Sequence, residues 1–150
     1  MGQSLVKNYV HLVFSTKYRQ PFIQPFVEEE LHKYIAGICD ACESPAVKIG
    51  GYTDHVHVLC RLSKNIMLVK LVEEIKSHSS KWMKTKHTAL HNFYWQRGYG
   101  AFSVTPSQIA NTIAYIEGQH EHHNQIVFQD EYRSFLKEYE VEYDEQFVWD

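Results

Sequence analysis

The chain has 150 residues, of which 44% are hydrophobic and 14% aromatic, and its formal net charge is −3. This composition excludes an intrinsically disordered chain and predicts one globular domain with its own core. No apolar run approaches the roughly 20 residues that span a bilayer, and the N-terminus has no recognisable secretory signal, so we expect a cytoplasmic protein without a membrane segment. We expect free cysteines in a reducing compartment, although Cys39 and Cys42 also have the spacing of zinc ligands.

The charges are unevenly distributed along the chain. Residues 44–112 hold nine basic and three acidic side chains, a net charge of +6, whereas residues 128–150 hold two basic and eight acidic ones, a net charge of −6. Local clustering rather than total charge sets the field at a surface, so the basic middle of the chain can face a polyanion such as nucleic acid. The alternative is that these lysines only solvate a helix face.

Apolar–polar alternation predicts strands, and apolar residues at helical spacing predict helices. In chain order these are a strand at 9–15, a helix from Pro25, strands at 46–52 and 55–62, a helix at 66–84, a strand at 93–104 and a helix at about 106–122. The order βαββαβ predicts an α+β, ferredoxin-like antiparallel sheet, with helices on one face and the other face free to hold a ligand. Residues 1–125 are then predicted to form the domain, including an additional C-terminal helix. Residues 126–150 are predicted to be an acidic appendage of that domain.

Two short patterns carry candidate chemistry. His55 and His57 are two residues apart on a predicted strand, so both imidazoles project from the same face of the sheet. Tyr115 and Gln119 are one helical turn apart, and together they offer a nucleophile and a further ligand. The alternative for the histidines is a half-exposed pair with no ligand.

These patterns resemble the single-tyrosine HUH transposases, the IS200-type enzymes of insertion sequences that cut and join single-stranded DNA. The resemblance covers about residues 8–125, and its motifs are YVHLVFSTKYR at 9–19, DHVHVL at 54–59, IKSHSSKW in the second helix, FYWQRGYGAFSV at 93–104 and YIEGQ at 115–119.

The resemblance implies a specific reaction and site. Tyr115 is the catalytic nucleophile, which attacks a DNA phosphate to give a 5′-phosphotyrosine and a free 3′-hydroxyl, without a nucleotide cofactor. His55, His57 and Gln119 bind a divalent metal; imidazole by itself favours zinc, whereas the resemblance implies Mg²⁺ or Mn²⁺. The implied partners are single-stranded DNA with hairpins at the element ends and a second copy of the chain, with Tyr115 acting in its own subunit or in its neighbour. An unpaired edge strand also favours a homodimer.

Further residues are candidates for DNA contacts. Lys17, Tyr18 and Arg19 place two cations around an aromatic ring, which suits phosphate contact and base stacking. Lys76 can follow a DNA backbone and Arg97 can contact unpaired bases, although each also has an ordinary structural interpretation.

Three alternatives stay open at this point. His11 is expected to be a structural residue of the sheet. His120, His122 and His123 can enter the metal site, but a fraying helix end is the favoured interpretation. The whole chain can also be a noncatalytic or domesticated nucleic-acid-binding protein that recognises DNA hairpins; a tyrosine one turn from an amide and facing two histidines favours the enzyme.

Overall fold

The computed structural model describes residues 2–150 and contains one four-stranded antiparallel sheet with the strand order β2-β3-β1-β4. The element bounds are β1 Asn8–Ser15, α1 Pro25–Ala41, β2 Ala46–Tyr52, β3 His55–Leu62, α2 Leu68–Lys84, β4 Gly100–Val104, α3 Ile109–Glu117, α4 Gln119–His122 and α5 Phe128–Glu138. The predicted α+β fold with its βαββαβ order is confirmed.

The alternation in the two central strands separates the two faces of the sheet. On β1, Val10, Leu12 and Phe14 join the core under α1 and α2, and Val56 and Val58 of β3 do the same. The intervening residues of both strands therefore face the opposite side. That side receives both histidines of the HxH pattern.

The prediction of a strand over 93–104 was too long. Only Gly100–Val104 pairs with β1, apart from one isolated bridge between Thr16 and Trp95. Trp95 instead donates an indole hydrogen bond to Ser79 on α2 and packs edge-on against Phe14. Aromatic residues are common both in strands and in irregular segments that fill a core, so composition does not distinguish the two. Here the burial of side chains, rather than hydrogen bonding to a neighbouring strand, orders the segment.

The sheet face predicted to be free is covered by α3, α4 and α5. The apolar side of α5 packs on it through a cluster formed by Val13, Phe102, Phe128, Tyr132 and Leu136. The acidic C-terminal segment therefore contributes a buried helix to the molecule. The charged side chains of this segment lie on the outer side of α5 and in the residues after it, except for Glu131, which is buried.

Gly50 on β2 lets α3 approach the sheet. A Cβ atom at this position would lie 2.6 Å from Ile116 Cγ2 and 2.7 Å from the Ile116 carbonyl oxygen. Only a residue without a side chain permits this contact. Gly50 therefore fixes the height above the sheet of the helix that carries Tyr115.

No helix within residues 2–150 is long and apolar enough to cross a membrane. The three cysteines are free thiols, and burial raises the pKa of Cys39 and of Cys60 to about 12. Both therefore stay protonated at neutral pH.

Candidate active site

His55 and His57 lie on one face of β3, as their spacing predicted, and both side chains are fully buried. Nδ1 of His55 donates to the Asp54 carboxylate over 2.7 Å, and Nδ1 of His57 lies 2.8 Å from His11 Nε2. Burial and the neighbouring His57 lower the pKa of His11 to about 3, so its ring is neutral. His11 supports the ring of His57 from the neighbouring strand β1.

Tyr115 and Gln119 lie beside His55 and His57 of the same chain, on the side of the helix predicted to face these histidines. The helix is interrupted at Gly118, between α3, which carries Tyr115, and α4, which begins at Gln119. Gln119 is buried, and its Oε1 lies 2.8 Å from His55 Nε2. The Tyr115 ring centroid is 5.7 Å from that of His57. One chain therefore brings Tyr115 and the three predicted ligands together.

Glu131 lies at the centre of this group, and the sequence interpretation missed it. Its side chain comes from α5 and is 2% exposed. Oε1 is 3.4 Å from His55 Nε2 and 3.3 Å from His57 Nε2. Oε2 accepts hydrogen bonds from Gln119 Nε2 over 2.9 Å and from the Tyr115 hydroxyl. A signal was present, because Glu131 falls on the apolar stripe of α5, three residues after Phe128.

His123 also joins the group, which corrects its interpretation as part of a fraying helix end. Its Nδ1 donates to the Ile126 carbonyl oxygen over 2.7 Å. Its Nε2 lies 2.9 Å from Gln119 Oε1 and 3.1 Å from Glu131 Oε1. The neighbouring His120 instead contacts Glu28 on α1.

The electrostatics of the group hold the tyrosine protonated. For Glu131, burial raises the pKa, but hydrogen bonds with His123 and His57 outweigh it and hold the pKa far below the usual range of a carboxyl group. Burial and the negative charge of Glu131 raise the pKa of Tyr115 far above that of a free phenol. An ionised carboxylate thus faces a neutral phenol. Tyr115 needs added positive charge nearby to become a nucleophile.

The residues present fit a divalent cation. The ligand atoms of His55, His57 and Glu131 all lie within 4.8 Å of one another, and the amide oxygen of Gln119 adjoins them. Neutral imidazole, amide and carboxylate groups are the donors that divalent metals use in proteins.

A cavity of about 600 Å³ opens beside Tyr115 and Glu131. It lies between the end of β4, the outer face of α3 and the side of α5, and its polar lining includes Ser103, Gln108, Asn111 and Thr112. Polar side chains at the start of α3 therefore line an open path to Tyr115.

The predicted DNA-contact residues lie apart from this group. Tyr18 is 70% exposed with Lys17 beside its ring, and Tyr18 and Arg19 both have left-handed backbone conformations, with φ values of 58° and 54°. Arg19 donates to the Trp149 carbonyl oxygen over 2.9 Å. Such conformations in residues other than glycine cost about 1–3 kcal/mol and cluster at functional sites.

Lys76 and Arg97 have different surroundings. The Lys76 ammonium group donates to the carbonyl oxygens of Gln96, Arg97 and Gly98 over 2.8, 3.0 and 2.7 Å, and burial lowers its pKa to about 8. This is a structural role for Lys76, and a phosphate contact by the same group stays a prediction. The Arg97 side chain is exposed.

Comparisons with known proteins identify relatives of this fold. The family model described as "Transposase IS200 like" matches residues 4–119. A candidate transposase from Deinococcus radiodurans R1 is 23% identical, with a TM-score of 0.63 over 79% of this chain and 96% of that one. A REP-associated tyrosine transposase bound to a REP hairpin is 13% identical, with a TM-score of 0.62 over 84% of this chain and 74% of that one. The comparison with curated proteins gives no match.

Proposed function

The chain belongs to the IS200-like transposase family, and from this membership we propose that it cleaves and rejoins single-stranded DNA through a covalent bond to Tyr115. The observation that carries the proposal is the position of Tyr115, whose hydroxyl donates to Glu131 and whose ring lies beside that of His57 at the edge of an open cavity. A noncatalytic DNA-binding protein has no use for that arrangement.

The proposed reaction begins when Tyr115 Oη attacks the phosphorus atom of the scissile phosphate. A bond forms between Oη and phosphorus, and the bond from phosphorus to the 3′-oxygen breaks. The phenol proton passes to solvent in the open cavity beside Tyr115, and the departing 3′-oxygen takes up a proton from solvent. The products are a 5′-phosphotyrosine and a free 3′-hydroxyl. Attack by a 3′-hydroxyl on the phosphotyrosine reverses these steps and joins the strands without a nucleotide cofactor.

A divalent cation, Mg²⁺ or Mn²⁺, belongs to the proposal, with His55, His57 and Gln119 as its ligands. When bound, such an ion neutralises phosphate charge and makes the phosphorus more electrophilic. The chain's own residues hold the imidazoles in place through Asp54 and His11, and they present Tyr115 toward the cavity.

The proposed substrate is single-stranded DNA that carries hairpins. Support comes from the structural neighbour bound to a REP hairpin and from the exposed Lys17–Tyr18 pair. Arg19 and Arg97 are further proposed contacts. A homodimer that holds two DNA ends and acts in the cytoplasm is part of the same proposal, and because one chain contains all the reactive groups, we place Tyr115 in cis.

The test is incubation of the protein with 5′-labelled and 3′-labelled single-stranded DNA and Mn²⁺, followed by denaturing electrophoresis. We expect the label on the 3′ side of the cut to migrate with the protein. Tyr115→Phe keeps the ring and removes the oxygen, so it should fold, bind a hairpin and form no adduct. Hairpin binding without any adduct by the wild type would support the noncatalytic or domesticated alternative, and adduct formation by Tyr115→Phe would assign the nucleophile elsewhere.

A further inference from the structure

We propose that His123 and Glu131 are ligands of the same cation, so that five side chains hold it rather than three. This inference rests on the proposed function and deepens its metal site. Both residues lie beyond the family match, which ends at residue 119. They come from the segment after the helix break at Gly118.

The spacing of the donor atoms supports a single shared ion. Two ligand atoms at right angles around a cation, each with a bond of about 2.1 Å, are about 3.0 Å apart. Gln119 Oε1 lies 2.8 Å from His55 Nε2 and 2.9 Å from His123 Nε2. Glu131 Oε1 lies 3.1 Å from His123 Nε2, 3.3 Å from His57 Nε2 and 3.4 Å from His55 Nε2.

The hydrogen-bond partners of the rings give an independent argument. Nδ1 of His55 faces the Asp54 carboxylate and Nδ1 of His123 faces the Ile126 carbonyl, and both of these oxygens only accept. In a neutral ring the Nε2 atom then carries a lone pair.

In neutral rings, the Nε2 lone pairs of His55 and His123 point at the lone pairs of the Gln119 amide oxygen. Gln119 donates its amide hydrogen to Glu131 Oε2, so its own Oε1 is the atom that faces His55 and His123. Two acceptors 2.8–2.9 Å apart need a proton or a metal ion between them. A divalent cation fills this role for all the donors at once, and the carboxylates or carbonyls behind the rings are the usual supports of metal-binding histidines.

The proposed donor set also selects the ion. Three imidazole nitrogens favour transition metals, whereas Mg²⁺ prefers oxygen ligands and retains several waters. Of the two ions of the proposed function, we therefore expect the site to bind Mn²⁺ more tightly than Mg²⁺.

The experiment measures Mn²⁺ binding by calorimetry in the full chain. Each of Glu131→Gln and His123→Ala should weaken binding at least about tenfold, since even supporting residues behind metal ligands typically cost about 10–100-fold. Two control variants should bind as the wild type does: Asp130→Asn removes the exposed neighbouring carboxylate of α5, and His120→Ala removes an exposed histidine of α4 that contacts Glu28 and the edge of the Tyr52 ring. Mg²⁺ should compete poorly with Mn²⁺ in the wild type.

The outcomes separate this inference from the proposed function. If the wild type binds no Mn²⁺, the cation of the proposed function and this inference both fail. If binding is lost in the His55→Ala/His57→Ala double variant but unchanged in Glu131→Gln and His123→Ala, only this inference fails.

Glu131 has a sharper test of its own. Equal or tighter Mn²⁺ binding by Glu131→Gln would mean that the carboxylate only fills the position of the ion, which overturns its assignment as a ligand. Weakening in only one of the two single variants overturns the assignment of the other residue. Should Glu131→Gln fail to fold by circular dichroism, Glu131→Asp replaces it, and the shortened carboxylate should also weaken binding.

Discussion

Substitution of Gly50 by alanine tests whether the contact between β2 and α3 positions the tyrosine. Gly50 faces Ile116, which directly follows Tyr115 and is fully buried. An added methyl group therefore presses on the helix at the residue next to the proposed nucleophile. No part of the reacting group itself is altered.

The size of the effect follows from two distances. The new Cβ atom would lie 2.6 Å from Ile116 Cγ2 and 2.7 Å from its carbonyl oxygen, whereas ordinary contact is about 3.5–4.0 Å. The side chain can rotate away but the backbone oxygen cannot, so α3 has to shift by roughly 1 Å. Overpacking of this kind typically costs about 1–3 kcal/mol of the free energy of unfolding. A displacement of about 1 Å at a reacting group can lower the rate about 100-fold.

Urea denaturation and the rate of adduct formation measure the two effects separately. The control is Gly37→Ala on the exposed side of α1, where a Cβ atom meets nothing within 4 Å. That variant should gain about 0.5–1 kcal/mol, because alanine is the better helix former, and it should cleave normally. A Gly50→Ala protein with wild-type stability and wild-type cleavage would refute the positioning argument; lower stability with unchanged cleavage would limit the contact to a packing role.

Two further predictions concern Lys76 and the arrangement of the active sites. Lys76→Met should lower the free energy of unfolding by about 1–3 kcal/mol in urea denaturation, because three carbonyl oxygens lose their donor; unchanged stability with weaker DNA binding would instead favour the phosphate contact. Mixed Tyr115→Phe and His55→Ala/His57→Ala chains should form no covalent adduct after subunit exchange, because Tyr115 lies beside the histidines of its own chain. Restored adduct in mixed dimers would contradict the cis arrangement, and a monomer in light scattering would remove the homodimer.

The sequence predicted those parts of the fold where local periodicity and burial agree. The bounds of β2 and β3 match because each strand alternates between two environments and a tight turn joins them. The segment 93–104 shows the limit of this reasoning. Phe93 and Trp95 pack into the core from an irregular loop, and composition alone cannot distinguish that packing from a strand.

The sequence predicted the members of the candidate site that belong to a motif, but it did not predict Glu131, which belongs to none. The HxH pattern and the YIEGQ motif each place two groups on one face of one predicted element, so spacing predicts them. Glu131 is 74 residues from His57 along the chain, and its position on the apolar stripe of α5 predicts burial but not which groups it contacts. Only the tertiary fold, which turns the chain at Gly118 and packs α5 on the sheet, brings Glu131 to the histidines.

The burial of Glu131 is itself an argument about function. A carboxylate taken out of water costs several kcal/mol, and well-packed apolar residues often stabilise a fold as well as or better than a buried ion cluster. The residues around it on α5 are apolar, so an apolar side chain at this position would continue the packing of Phe128 and Tyr132. Instead the chain retains a charged group that contacts His57, Tyr115, Gln119 and His123. Stability alone does not account for such a group, whereas the cation site proposed above, beside the proposed nucleophile, gives the carboxylate a use.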